Sequence, residues 1–179
     1  MSTMIAERTG MSRRKLFGTV ATVMAGLGLT GCGLFGTAVT QVSTDAQQIT
    51  DDINQVAAGL NGVLPNVQAI TGVAASVVTG IQSGVAKIQS LATTVSTAVK
   101  SGIQTAAPFI SQIASLVGTI GASLSNMGAS VPTWVSDVVA AAKTLLPIAL
   151  SLAGVAMAGP TTGMSAVQAR SILAAAAKA

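Results

Sequence analysis

Ile49-Thr50-Asp51-Asp52-Ile53-Asn54-Gln55-Val56-Ala57-Ala58-Gly59-Leu60-Asn61-Gly62-Val63 carries an apolar side chain at Ile49, Ile53, Val56, Leu60 and Val63, spacings of only three or four. The rhythm runs back to Val39, Val42 and Ala46. It runs forward through Val67, Ile70, Ala74, Val77, Ile81, Val85, Ile88, Ala92, Val95, Val99 and Ile103. A strand alternates with period two, whereas a helix returns to one face every 3.6 residues, so this pattern is a helix stripe. β-branched residues lower helix propensity locally, but the period decides. The expected fold is all-α: an antiparallel bundle, or a long helical hairpin, of amphipathic helices rich in Ala, Ser, Thr, Val and Gly.

Punctuation divides the stripe. Asn61-Gly62 with Pro65, Pro108, Asn126-Met127-Gly128 with Pro132, and Gly159-Pro160 each read as a stop or kink. Helices are therefore expected near 45–61, 66–106, 109–126, 133–158 and 166–178, with Ser101-Gly102 able to divide the second. Thr44-Asp45-Ala46-Gln47 and Ser165-Ala166-Val167-Gln168 have the form of capping boxes and mark the first and last helix starts. Gly80, Gly84, Gly118 and Gly121 would allow close helix approach. Residues 73–82 resemble residues 95–104 at a spacing of 22, about six helical turns, which would put both copies on one face.

Upstream of the stripe the chain changes character. Arg8, Arg13, Arg14 and Lys15 form a basic patch, and Phe17 to Leu29 is a 13-residue uncharged run. Such a run suits the apolar part of an export signal and is too short to cross a bilayer of about 30 Å at 1.5 Å per residue. Leu29-Thr30-Gly31-Cys32 ends it, and Cys32 is the single cysteine of the chain. This order resembles the lipobox of bacterial lipoproteins, which implies diacylglycerol on the Cys32 thiol and removal of everything before it. Ser12-Arg13-Arg14-Lys15-Leu16-Phe17 is similar to a twin-arginine export motif, with Leu16 and Phe17 in the reverse of the family's usual order. A paired arginine in a general secretory signal is the other reading. The resemblance divides the chain into a signal helix at 1–31, a lipidated Cys32 with a flexible tether at 32–43, and a helical domain at 44–179. Gly33 stands where lipoproteins retained at the inner membrane of enteric bacteria carry aspartate, which points to the outer membrane.

Composition narrows the function. Of the formal charge of +4, the signal supplies most; beyond it Lys87, Lys100, Lys143, Arg170 and Lys178 face Asp45, Asp51, Asp52 and Asp137, a net of +1. Five scattered cations, no tyrosine and one tryptophan offer little to nucleic acid, which asks for clustered Lys or Arg and stacking platforms. There is no histidine, and the last glutamate is Glu7. Asp51 and Asp52 are adjacent, so on a helix they splay about 100° apart instead of converging on a proton. No catalytic residue, metal site or cofactor site is expected.

The outer faces are unusual for a bundle. Gln47, Gln48, Gln55, Asn61, Asn66, Gln68, Ser76, Gln82, Ser83, Gln89, Ser90 and Thr94 stand where Lys and Glu normally cover a surface, and 8% of the chain is charged. A weakly charged surface is prone to associate. The function expected is non-catalytic: a bacterial cell-envelope lipoprotein facing the periplasm, structural or protein-binding, held to the membrane by its lipid and meeting an envelope protein or itself. The alternative is a membrane-active protein whose amphipathic helices insert or oligomerise in lipid. No clean apolar run of 18 residues favours that alternative; Leu145 to Met157, the best, has 13.

Overall fold

A computed structural model describes residues 32–70, 72–128, 131–156 and 163–179, with side chains from Val42 onward. The chain divides into a unit at Met1–Thr37, of which only the start of one helix is described, and a second at Ala38–Ala179. The elements are α1 (Cys32–Ala69), α2 (Ala75–Ser101), a 3-10 turn (Ile103–Ala106), α3 (Ala107–Asn126), α4 (Thr133–Leu152) and α5 (Ala166–Ala176). There is no strand among the described residues, and the fold is the all-α helical bundle that the stripe implies.

Helix boundaries depart from the punctuation in instructive ways. The expected tether at 32–43 and the capping box at Thr44 lie inside α1, where the Gln47 amide donates to Asp51 Oδ1 at 2.9 Å, one turn on. Asn61-Gly62 and Pro65 do not end α1 either. Proline removes one N–H and displaces the carbonyl four residues before it; Pro65 and Asn61 both lie on the exposed side, so the freed carbonyl faces solvent. The break comes later, where Gly72 adopts a φ of 85°.

Gly102, by contrast, does divide the long second helix. Its φ is 150°, its N–H reaches the carbonyls of Ala98 and Val99, and the Thr105 hydroxyl lies 2.7 Å from the carbonyls of both Ala98 and Gly102. The two segments that resemble each other at a spacing of 22 therefore differ: Gly80 is inside α2, whereas Gly102 ends it. Pro108 occupies the first turn of α3, where a missing N–H costs nothing. α4 stops at Leu152, short of the expected 158. Gly154, at φ 83°, closes a Schellman motif in which Val155 N–H bonds Leu150 O at 2.9 Å and Gly154 N–H bonds Ser151 O at 3.1 Å. The capping box at Ser165 forms as expected, with Gln168 N–H donating to Ser165 Oγ and Ser165 N–H donating to Gln168 Oε1.

One apolar cluster takes side chains from every helix. Ile53, Val56, Leu60, Val67, Ile81, Ile88 and Val95 are buried as the stripe requires, while Ile70, Val77 and Ile103 sit near element ends and are half-buried. Burying each such side chain is worth about 1.5–3 kcal/mol. α4 is the central element: ten of its 20 residues, from Val135 to Leu150, are buried. Consecutive helices α2 to α5 pack on one another. Gly84 meets Ile120 across α2 and α3, and Gly121 meets Val139 and Lys143 across α3 and α4, whereas Gly80 and Gly118 face open space.

The closest approach involves Gly62, which the sequence presented as part of a helix stop, and Gly59, one turn earlier. A Cβ on Gly59 would stand 2.6 Å from Leu173 Cδ2 and 3.2 Å from Leu173 Cα, and one on Gly62 would collide with the backbone carbonyl of Ala176. Contacts 59 with 173 and 62 with 176 advance together, so α5 runs parallel to α1. Because the obstacle at Gly62 is backbone, it cannot swing aside. Gly62→Ala should lower stability by about 1–3 kcal/mol, the usual range for forced overpacking. Gly80→Ala, in open space within a helix, should raise it by about 0.5–1 kcal/mol. Urea unfolding of the two variants reads both signs.

Candidate functional site

The export pair Arg13 and Arg14 and the lipobox residues Leu29, Thr30 and Gly31 lie outside the described residues. Cys32 opens the described part of α1, and its side chain is outside the described set. Asp51 and Asp52 diverge as adjacent helical residues must: Asp51 is exposed beside Gln47, and Asp52 is buried at 1% exposure.

Asp52 forms the one salt bridge among the described residues, and its partner is 118 positions away on α5. Arg170 Nε donates to Asp52 Oδ1 at 2.7 Å, and Arg170 Nη2 donates to Oδ2 at 2.9 Å. This two-pronged fork fits a carboxylate plane to plane. Its geometry follows from the parallel seam. With residue 173 beside 59, residue 170 lies beside 56, and helical side chains lean toward the helix N-terminus. The long guanidinium stem therefore reaches back one turn to Asp52. The hydrogen bond to Asp52 raises the Arg170 pKa above its ordinary value, burial opposes the rise and the attraction of the carboxylate adds to it. A raised cation contributes stability that is lost only on passing upward through its own pKa, so Arg170 stays charged throughout the range in which proteins are handled.

Nothing in the sequence periodicity announced this pair. Asp52 occupies the turn beside the stripe, and Arg170 stands on a short helix whose register is set only by docking. A signal did exist in Gly59-x-x-Gly62, a small-residue spacing that a packing partner can use.

Two shallow depressions mark the surface. One lies on α5 around Met164, Gln168 and Ile172. The other lies where the α1–α2 turn meets the end of α3, around Val73, Val77, Ser123 and Met127. Neither is lined by an ionisable side chain. Among the described residues no three of His, Cys, Asp and Glu gather as a metal site would need.

The helices revise one expectation about membranes. Ile103–Asn126 and Thr133–Leu152 are each long and apolar enough to cross a bilayer by length and composition, because scattered Ser, Thr and Gly lower mean hydropathy little. Thr133–Leu152 is also the core helix, with 56% of its most apolar window buried in the bundle. Comparison with known families, with curated proteins and with solved structures finds no match for the chain.

The Asp52–Arg170 pair makes a thermodynamic prediction. Removing one partner strands the other, whereas replacing both with apolar groups of similar size is often neutral or stabilising. Arg170→Met should cost on the order of 1–3 kcal/mol, below the ~3–5 kcal/mol of a fully enclosed pair, because the Arg170 side chain remains 32% exposed. Adding Asp52→Leu to Arg170→Met should restore most of the loss, and a thermal double-mutant cycle measures the coupling.

Proposed function

We propose that this chain is a non-catalytic cell-envelope lipoprotein, anchored by acyl chains on Cys32 and presenting its helical bundle to the periplasm as a structural or protein-binding module, with the outer membrane as its seat. The support at the N-terminus is the order of a basic patch, a 13-residue uncharged run and Leu29-Thr30-Gly31-Cys32. The observation that carries the choice over a membrane-active protein is where the apolar stripe goes. Lipid insertion needs an apolar face left over for the acyl chains. Here the stripe is spent within the bundle, and the exposed large hydrophobics among the described residues are Val42, at 57%, and Val167, at 74%.

The two apolar helices favour the second reading, in which the bundle opens and α3 and α4 enter lipid. The readings separate by dye leakage from liposomes. Mature protein without its acyl chains should leave vesicles intact; leakage at micromolar protein supports insertion instead.

Two further measurements address the anchor. Cys32→Ala should abolish incorporation of labelled palmitate and leave the precursor unprocessed, and equal labelling of variant and wild type would refute lipidation at this residue. Changing Arg13 and Arg14 together to lysine keeps the charge but removes the guanidinium pair. Export should stop if the route reads twin arginines, whereas undiminished export assigns the general secretory route.

A further inference from the structure

We propose that α5 is a releasable latch, leaving its seat on α1 and α4 as a unit while those helices stay folded, with the Asp52–Arg170 pair fixing the position into which it closes. The inference is independent of how the chain is anchored. α5 has 11 residues, fewer than the roughly 12–15 that hold a helix in water unaided, so its helicity depends on docking. Few of its residues are fully buried: Ala169, Leu173 and Ala176, of which Leu173 is the one large side chain, with Ile172 half-buried against the core. α4, by comparison, buries ten residues.

The charge pair favours a device that opens over one that is simply strong. Asp52 is 1% exposed with α5 in place, and lifting α5 returns a carboxylate to water, which offsets much of what the pair contributes when closed. What the pair does supply is register. Gly59 and Gly62 accept Leu173 and Ala176 at matching intervals of three residues, and the fork on Asp52 forms only when Arg170 lies one turn behind them. Arg170 is the single arginine after Arg14, so no other segment of the domain offers the same two-pronged donor.

Hydrogen exchange of the full chain, followed by mass spectrometry, tests this. The amides of Arg170–Ala176 should exchange at least tenfold faster than those of Leu145–Leu150, through an opening that leaves α2, α3 and α4 protected. Arg170→Gln should speed the α5 amides at least another tenfold and leave Leu145–Leu150 within twofold of wild type, while Arg170→Lys, which keeps the charge and loses the fork, should fall between. Exchange of α5 in step with α4 in the wild type would overturn the proposal. So would an equal loss of protection in both helices on Arg170→Gln, or failure of that variant to fold.

Discussion

The seating of α5 depends on how closely it can approach α1. Helix axes normally stand 8–10 Å apart because side chains hold them there; at Gly59 and Gly62 there is none, and the Leu173 and Ala176 backbone fills the space. That approach fixes the direction of α5, sets it parallel to α1 and places Arg170 within reach of Asp52. A carboxylate at 1% exposure is tolerable only with such a partner. The ends of the domain, far apart in sequence, are thereby joined by a steric fit and a charge fit that each presuppose the other.

Most of the architecture was legible because it rests on a periodic signal. Ile53, Val56, Leu60, Ile81, Ile88 and Val95 could be assigned inward from spacing alone, and Ser165 with Gln168 marked the start of α5 from a local hydrogen-bond pattern. The failures share a cause, which is that glycine and proline have local and tertiary uses that look alike in sequence. Gly62 read as a terminator and is a packing surface. Pro65 read as a break and lies on the exposed side of an intact helix. Gly154, which does terminate a helix, is not marked in the sequence by an adjacent proline as Gly159 is by Pro160. The Asp52–Arg170 pair was illegible for a different reason: its two halves become neighbours only through the seam.

The low charge of the chain also takes on a structural meaning. Thr79, Thr93, Thr94 and Thr97 on α2 turn their hydroxyls back onto carbonyls one turn earlier, which ties up their donors and leaves their methyl groups part of the outer face. Such a face is weakly hydrated without being apolar. α4 explains the high mean hydropathy from within: a helix surrounded by neighbours is apolar on most of its circumference whether or not it ever meets lipid.

The parallel seam between α1 and α5 is open to direct observation by nuclear Overhauser spectroscopy of the chain. Cross-peaks from the Leu173 δ-methyls to the Gly59 α-protons, accompanied by Ala176 to Gly62, are the expected result. Their absence, or Leu173 cross-peaks to residues earlier in α1 paired with Ala169 contacts to later ones, would reverse or remove the α1–α5 contact and contradict the account.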